Sequence, residues 1–207
     1  MNILAIGSHP DDIEYGCGGA LLKYAAQGHD VYLFVATQGH AGGEPNTRRD
    51  EQLKSADILG VKELFWGGYQ DTQIPLNQEL ITRLEQVIQE TEPNFIFIHY
   101  PQDTHQDHRT LSNCAVSATR YIPNVLFYEG PTTQNFLPSV YVDIAATIEK
   151  KIGLLQAHTS QISKLYNKTF EDLTIVESAR SCANFRGVQS RVKYAEAFVP
   201  LRLFINI

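Results

Sequence analysis

The chain has 207 residues, a length that at roughly 150 residues per domain favours one globular unit over residues 1–207. Apolar residues make up 43% of it, with 10 Phe, 10 Tyr and a single Trp, which is ample material for a buried core and excludes intrinsic disorder. Only 19% of residues are charged and the net charge is -6, which argues against nucleic acid as a partner. In chain order, residues 3–7 form a short apolar run, followed by Pro10, a Gly-rich turn and a helical stretch over residues 20–26. Residues 31–36 predict a second buried strand. After a loop rich in Gly and Pro (39–46), a helix runs from about Thr47, a candidate N-cap, to Leu59, and Gly60 ends it. Residues 64–66 read as a third strand. Leu80, Leu84, Val87 and Ile88 make one stripe of an amphipathic helix, which Pro93 stops before a strand at 95–98. A helix from about 107 to 120 and a strand at 125–128 follow.

Short strands alternating with helices at this spacing predict an α/β fold: a mostly parallel, Rossmann-like sheet with helices on both faces, in three layers. Beyond Ser139 the rhythm weakens, although Ile144, Ile148, Ile152 and Leu155 mark another helical stripe and residues 197–207 return to a β-like composition. Cys17, Cys114 and Cys182 suit neither a disulfide framework nor a thiolate zinc knuckle. No apolar run approaches the ~18 residues needed to span a bilayer, and the first dozen residues lack a basic, signal-like start. The expectation is a cytoplasmic protein without a membrane span, in which the Asn167-Lys168-Thr169 sequon needs no glycan.

Ligands of open α/β sheets collect beyond the carboxyl ends of strands, which directs attention to two loops. Ser8-His9-Pro10-Asp11-Asp12-Ile13-Glu14 follows the first strand, and Asp103-Thr104-His105-Gln106-Asp107-His108 follows the strand at 95–98. Alone, the acidic residues would cap a helix and the histidines would sit on a surface. Together, two imidazoles and a carboxylate from separate loops make an open zinc or iron site. Pro10 biases His9 away from helical angles and can itself start the helix. Asp11 and Asp12 diverge as sequence neighbours, so one carboxylate binds metal and the other serves as base. His105 and His108 share a helical face, where one ligates and the other reaches the reacting group. Spacing alone leaves both assignments open.

These residues resemble the LmbE-like, or PIG-L-like, family of metal-dependent N-deacetylases acting on N-acetylglucosamine derivatives. The resemblance rests on His9-Pro10-Asp11-Asp12 with Gly16-Cys17-Gly18-Gly19 behind it, on Arg48 and Glu51 with Ala56 and Leu59-Gly60, and on the 103–108 loop. Arg186-Gly187 and Tyr194-Ala195-Glu196-Ala197-Phe198 extend it to the end of the chain. Gln106 stands where many members have Pro. The resemblance implies that His9, Asp12 and His108 bind Zn(II), with Fe(II) the alternative, and that Asp11 is the general base. It assigns His105, as an imidazolium, to the developing oxyanion, and Asp107 is added as the partner that orients or charges that histidine. Arg48 is the candidate for a substrate hydroxyl or phosphate, against a plain reading as an exposed partner of Glu51 or Glu44. Members often form trimers or hexamers, so a homo-oligomer is implied.

The function expected is removal of the acetyl group from an N-acetylglucosamine-type amino sugar. Its runner-up is a related amidase cleaving a larger N-acyl group from a sugar-thiol conjugate. A metal-free, nucleotide-binding Rossmann-like protein is a third reading, and the glycines at 16, 18 and 19 fail its fingerprint because the third glycine would fall at Leu21. A non-catalytic sugar-binding relative would need no base at Asp11. His40 is left out of the site, His99 is read as packing behind it, and His158, Arg180, Arg186 and Arg191 are read as structural or solvated.

Overall fold

The computed structural model describes residues 1–162 and 173–205. The sequon at 167–169 and the last two residues of the expected C-terminal strand lie outside them. The elements in order are β1 (Asn2–Gly7), α1 (Asp12–Ala26), β2 (Asp30–Thr37), a 3-10 turn (His40–Gly42), α2 (Pro45–Leu59), β3 (Glu63–Tyr69), α3 (Gln78–Thr91) and β4 (Phe95–His99). They continue with α4 (Gln106–Ala118), β5 (Val125–Tyr128), β6 (Val140–Asp143), α5 (Ile148–Ala157), α6 (Thr159–Ile162), α7 (Ile175–Ser190) and β7 (Ala195–Arg202). The sheet order is β3-β2-β1-β4-β5-β7-β6. The first five of these strands pair in parallel, and β7 runs antiparallel to both β5 and β6. Among the described residues no helix is long and apolar enough to cross a membrane.

Alternation along the strands builds the three layers. Leu4, Ile6, Phe34, Ile96 and Ile98 point to one face, where they meet Leu80, Leu84 and Val87 of α3 and Leu111 and Ala115 of α4. Ile3, Ala5, Leu33, Val35 and Phe97 point to the other, against Ile13, Cys17 and Leu21 of α1 and Leu59 of α2. Because both faces are covered, the central strands are apolar throughout, which is why they read as continuous runs.

The Gly-rich turn predicted after β1 is instead the middle of α1. A side chain at Gly16 would run into the Tyr128 ring, and one at Gly19 would come within 3.0 Å of both Ile144 Cβ and Glu196 Oε1. Close packing therefore demands glycine inside a helix, and its poor helix propensity is overridden. Glu196 accepts hydrogen bonds from the backbone N–H groups of Gly19 and Ala20 (2.7 Å each), and Lys151 Nζ donates to Glu196 Oε1 and to Tyr15 O (2.6 Å each). This buried ion pair joins α5 and β7 to the waist of α1. The cap of α2 is Glu44, not Thr47: its carboxylate accepts from Asn46 N (3.1 Å) and Thr47 N (2.6 Å), and Pro45 supplies the first turn. Gly60 closes that helix with φ 80°, as predicted. β6 and α7 had no clear signal, and β7 ends at Arg202, before the sequence pattern does.

Candidate metal centre

The first loop is wound around Asp12. Its Oδ2 accepts hydrogen bonds from the backbone N–H of His9 (2.7 Å) and Ser8 (3.1 Å), which fixes the turn that leaves β1. Pro10 precedes the cap and does not start the helix. Asp11 is the N-cap residue, at φ 90°, a left-handed conformation that costs a side-chain-bearing residue on the order of 1–3 kcal/mol. Its carboxylate makes no capping bond and instead borders a cavity of about 340 Å³ with His9, Asp12, Arg48, His105 and His108. The strain is thus located at the residue expected to act as base.

The two loops meet. The His9 and His108 rings lie 5.4 Å apart between centroids, and Asp12 stands between them, Oδ2 at 3.2 Å from His9 Nδ1 and Oδ1 at 3.3 Å from His108 Nε2. His99 Nε2 is also 3.2 Å from Asp12 Oδ2, accepts the Ser8 N–H (3.1 Å), and its ring stacks on His108 at 4.1 Å. It packs directly behind Asp12 and His108. Burial opposes the charge on Asp12, and the imidazoles of His108, His99 and His9 overcome that cost and hold its carboxyl well below the usual range. Burial likewise opposes charge on His108, but the Asp12 carboxylate lifts it to about 9.

Behind the imidazoles stand three further carboxylates. Asp103 Oδ2 is 3.3 Å from His108 Nδ1, while its oxygens accept from His105 N (2.8 Å), Thr132 Oγ1 (2.6 Å) and Thr133 Oγ1 (2.9 Å). Asp71 Oδ1 and Asp107 Oδ2 both face His9 Nε2, at 3.0 and 3.2 Å. The Asp107 carboxylate therefore addresses His9, and also accepts from Thr72 N (2.7 Å), rather than orienting His105. What joins 107 to 105 is backbone: the Asp107 N–H donates to His105 Nδ1 (3.2 Å). An Nδ1 that accepts belongs to a neutral imidazole with its proton on Nε2, whereas the sequence reading expected an imidazolium. Burial and the neighbouring His108 and His9 rings also push the His105 pKa down.

Asp11 is governed by different neighbours. Burial raises its carboxyl to about 6, against the opposing pull of Arg48, whose Nη2 lies 3.4 Å away. Arg48 is buried, which rules out the exposed partner of Glu44 or Glu51. Its Nη1 donates to Gly39 O and its Nη2 to Pro10 O (2.8 Å each), tying the 3-10 turn to the first loop. Glu51 faces elsewhere and caps α6 through Thr159 Oγ1 and Ser160 N (2.7 Å each).

The donor set suits a divalent ion. His108 Nδ1 and Nε2 and His99 Nδ1 are buried and make no hydrogen bond, although carboxylates stand 3.3 Å from both His108 nitrogens. Unpaired buried imidazole nitrogens beside carboxylates are costly without an ion to share. Among the described residues three groups bring one donor atom each within 4.8 Å: His9, His105 and His108; Asp12, His99 and His108; and His9, Asp71 and Asp107. The expected triad of His9, Asp12 and His108 draws two members from each of the first two. Mixed nitrogen and oxygen donors, with carboxylates bracing the imidazoles, match zinc or iron(II).

Sequence reasoning missed Asp71 and gave Asp103 no role. Asp71 follows β3 on the same carboxyl edge as the other two loops, so its position was the available signal. It also accepts the Ala41 N–H (2.8 Å) and so holds the 3-10 turn against the site. His40 lies outside this cavity.

The PIG-L family model, described as GlcNAc-PI de-N-acetylase, matches residues 4–119. An uncharacterized deacetylase, YaiS of Escherichia coli, is 34% identical over 76% of this chain and 90% of its own length. The diacetylchitobiose deacetylase of Thermococcus kodakarensis is 28% identical over 99% of this chain and 85% of its own. The crystal structure of the conserved protein TT1542 from Thermus thermophilus superimposes with a TM-score of 0.87 at 27% identity, covering 99% of this chain and 96% of that one.

Proposed function

The chain belongs to the PIG-L family, and from that premise we propose that it is a metal-dependent hydrolase that removes the acetyl group from an N-acetylglucosamine-type amino sugar, releasing acetate and the free amine. The observation that carries this reading is the placement of Asp12 between the imidazoles of His9 and His108, with the carboxylate of Asp11, 3.4 Å from Arg48 Nη2, on the adjoining cavity wall. His9, Asp12 and His108 hold the ion, zinc with iron(II) as the alternative. When bound, the ion polarises the acetamide carbonyl as a Lewis acid and lowers the pKa of water beside it.

The chain's own residues supply the rest. Asp11 accepts the proton of the attacking water on a carboxylate oxygen as the new C–O bond forms. It returns that proton to the amide nitrogen as the C–N bond breaks, so that acetate and an amine leave and the carboxylate is restored. His105 donates from Nε2 to the carbonyl oxygen as negative charge gathers there. Asp107 and Asp71 keep the His9 ring in place, and Asp103 does the same for His108. Arg48, on the same cavity wall, is the residue proposed to contact a substrate hydroxyl.

The test is acetate release from a panel of N-acetyl amino sugars by zinc- and iron(II)-reconstituted protein, with Asp11→Ala as control. The expected result is turnover that falls by about two to four orders of magnitude in Asp11→Ala with metal content unchanged. Full activity in that variant would refute the base assignment, and no acetate from any N-acetyl sugar would refute the function.

A further inference from the structure

The buried face of α2 is polar. Arg48, Glu51, Gln52 and Ser55 stand at i, i+3, i+4 and i+7, positions that an amphipathic helix normally gives to apolar residues, yet all four are buried. Burying polar groups is costly unless each finds a partner, so the partners say what the stripe does.

Two of these residues, one helical turn apart, hold the same peptide unit. Arg48 Nη2 donates to Pro10 O (2.8 Å) and Gln52 Oε1 accepts the Asp11 N–H (3.3 Å), so the plane between Pro10 and Asp11 is gripped at both ends. On the other side of Asp11, its carbonyl accepts the Tyr15 N–H (2.9 Å) in the first turn of α1. With both flanking planes fixed, the backbone rotation at Asp11 is fixed between them, at φ 90°. Such a conformation persists only where its surroundings over-determine it, and this clamp supplies the constraint.

Gln52 is itself held. Its Nε2 donates to Glu14 Oε1 (2.6 Å), and because a carboxylate only accepts, Oε1 is the end left to face Asp11. Glu14 Oε1 also accepts from Ser55 Oγ (2.8 Å) and lies 3.6 Å from His158 Nε2. Gln52, Glu14, Ser55 and His158 are all buried, so the clamp is anchored in the interior by α1, α2 and the end of α5.

Resting on the deacetylase reading, we propose that Gln52 is a positioning residue for the general base: together with Arg48 it locks the Pro10–Asp11 peptide and so aims the Asp11 carboxylate into the cavity. Gln52 does not line that cavity and acts through the Asp11 backbone alone. Without the clamp, Asp11 relaxes toward negative φ and its carboxylate leaves the line of attack. A misplacement of about 1 Å costs on the order of 100-fold in rate.

The experiment compares Gln52→Met, which keeps the volume and removes both hydrogen bonds, with Leu59→Ala, which loosens the far end of the same helix by opening a cavity away from Asp11. Gln52→Met is expected to lower kcat by about 10- to 100-fold with KM and zinc stoichiometry unchanged. Leu59→Ala lowers Tm and leaves kcat at the wild-type level. Amide hydrogen exchange of isotope-labelled, zinc-loaded protein, followed by NMR without substrate, reads the clamp directly. The Asp11 N–H is protected in the wild type, and its protection falls about five- to tenfold in Gln52→Met, the share of one hydrogen bond. An Asp11 amide that exchanges in the wild type as fast as in an unstructured chain overturns the clamp, even if Gln52→Met does not fold. An unchanged kcat in Gln52→Met, or an equal loss in Leu59→Ala, overturns the positioning role and leaves the deacetylase reading standing. Protection at Asp11 that depends on Gln52, in a wild-type protein that releases no acetate, upholds the clamp and overturns the deacetylase reading.

Discussion

Adding one methyl group at two different helical glycines should change stability in opposite directions. Gly153 lies inside α5 with open space where a side chain would go, so Gly153→Ala gains helix propensity and is expected to stabilise by about 0.5–1 kcal/mol. Gly16 lies inside α1, where the same methyl would sit 2.7 Å from Tyr128 Cγ and Cε2. Tyr128 has little freedom to yield: it is fully buried, its hydroxyl donates to Ile6 O (2.8 Å), and its ring packs on His99 at 4.8 Å. Overpacking of this kind costs about 1–3 kcal/mol, which cancels or exceeds the same propensity gain. The two variants should therefore differ by about 1–3 kcal/mol, and at about 2–4 °C per kcal/mol for a chain of this size the gap in Tm is roughly 2–12 °C. Displacement of α1 also moves Asp12, so Gly16→Ala should bind zinc more weakly in competition with a chelator, while Gly153→Ala should not. Parallel calorimetric melts check the order. If Gly16→Ala melted at or above Gly153→Ala, the packing account of the α1 glycines would be wrong.

The buried Lys151–Glu196 pair predicts that Lys151→Met costs about 3–5 kcal/mol by urea denaturation, because a carboxylate is left in the core without its counter-charge; a loss below about 1 kcal/mol would contradict it. His105→Ala should lower kcat by about two to three orders of magnitude while bound metal, measured by elemental analysis, stays at wild-type stoichiometry; loss of the ion would make His105 a ligand instead. His158 is fully buried with Nε2 3.6 Å from Glu14 Oε1. Burial works against its charge, but the facing carboxylate outweighs it and raises its pKa. A raised folded pKa contributes stability fully below the unfolded value of about 6.5 and loses it as pH rises through the folded value. His158→Gln should accordingly flatten the decline of Tm on the alkaline side of about pH 6.5, and an unchanged decline would remove His158 as its source.

What could be read in the sequence was set by local signals. Buried parallel strands show as apolar runs, and Gly60 and Pro93 punctuate helices whose ends they mark in the structure. The α1 glycines misled because their local preference for a turn is reversed by Tyr128, Ile144 and Glu196, which come from distant segments. β6 is a four-residue edge strand without buried positions, and α7 packs mainly through Ile175 and the small Ala179 and Ala183, so neither carries a periodic stripe. In the site, His9, Asp11, Asp12, His105 and His108 were legible because they cluster in two loops at strand ends. Asp71 stands alone in its loop and becomes significant only when folding brings it 3.0 Å from His9 Nε2. The orientation of Asp107 toward His9 was equally hidden, since sequence neighbours suggested His105.

The central claim is that one ion is gripped by residues of two separate loops, and anomalous diffraction from zinc-loaded crystals tests it most directly. The account predicts one strong zinc peak within about 2.0–2.2 Å of side-chain atoms of His9, Asp12 and His108, abolished in Asp12→Ala. A peak centred on His9, Asp71 and Asp107, or none at full zinc occupancy of the solution, would contradict it.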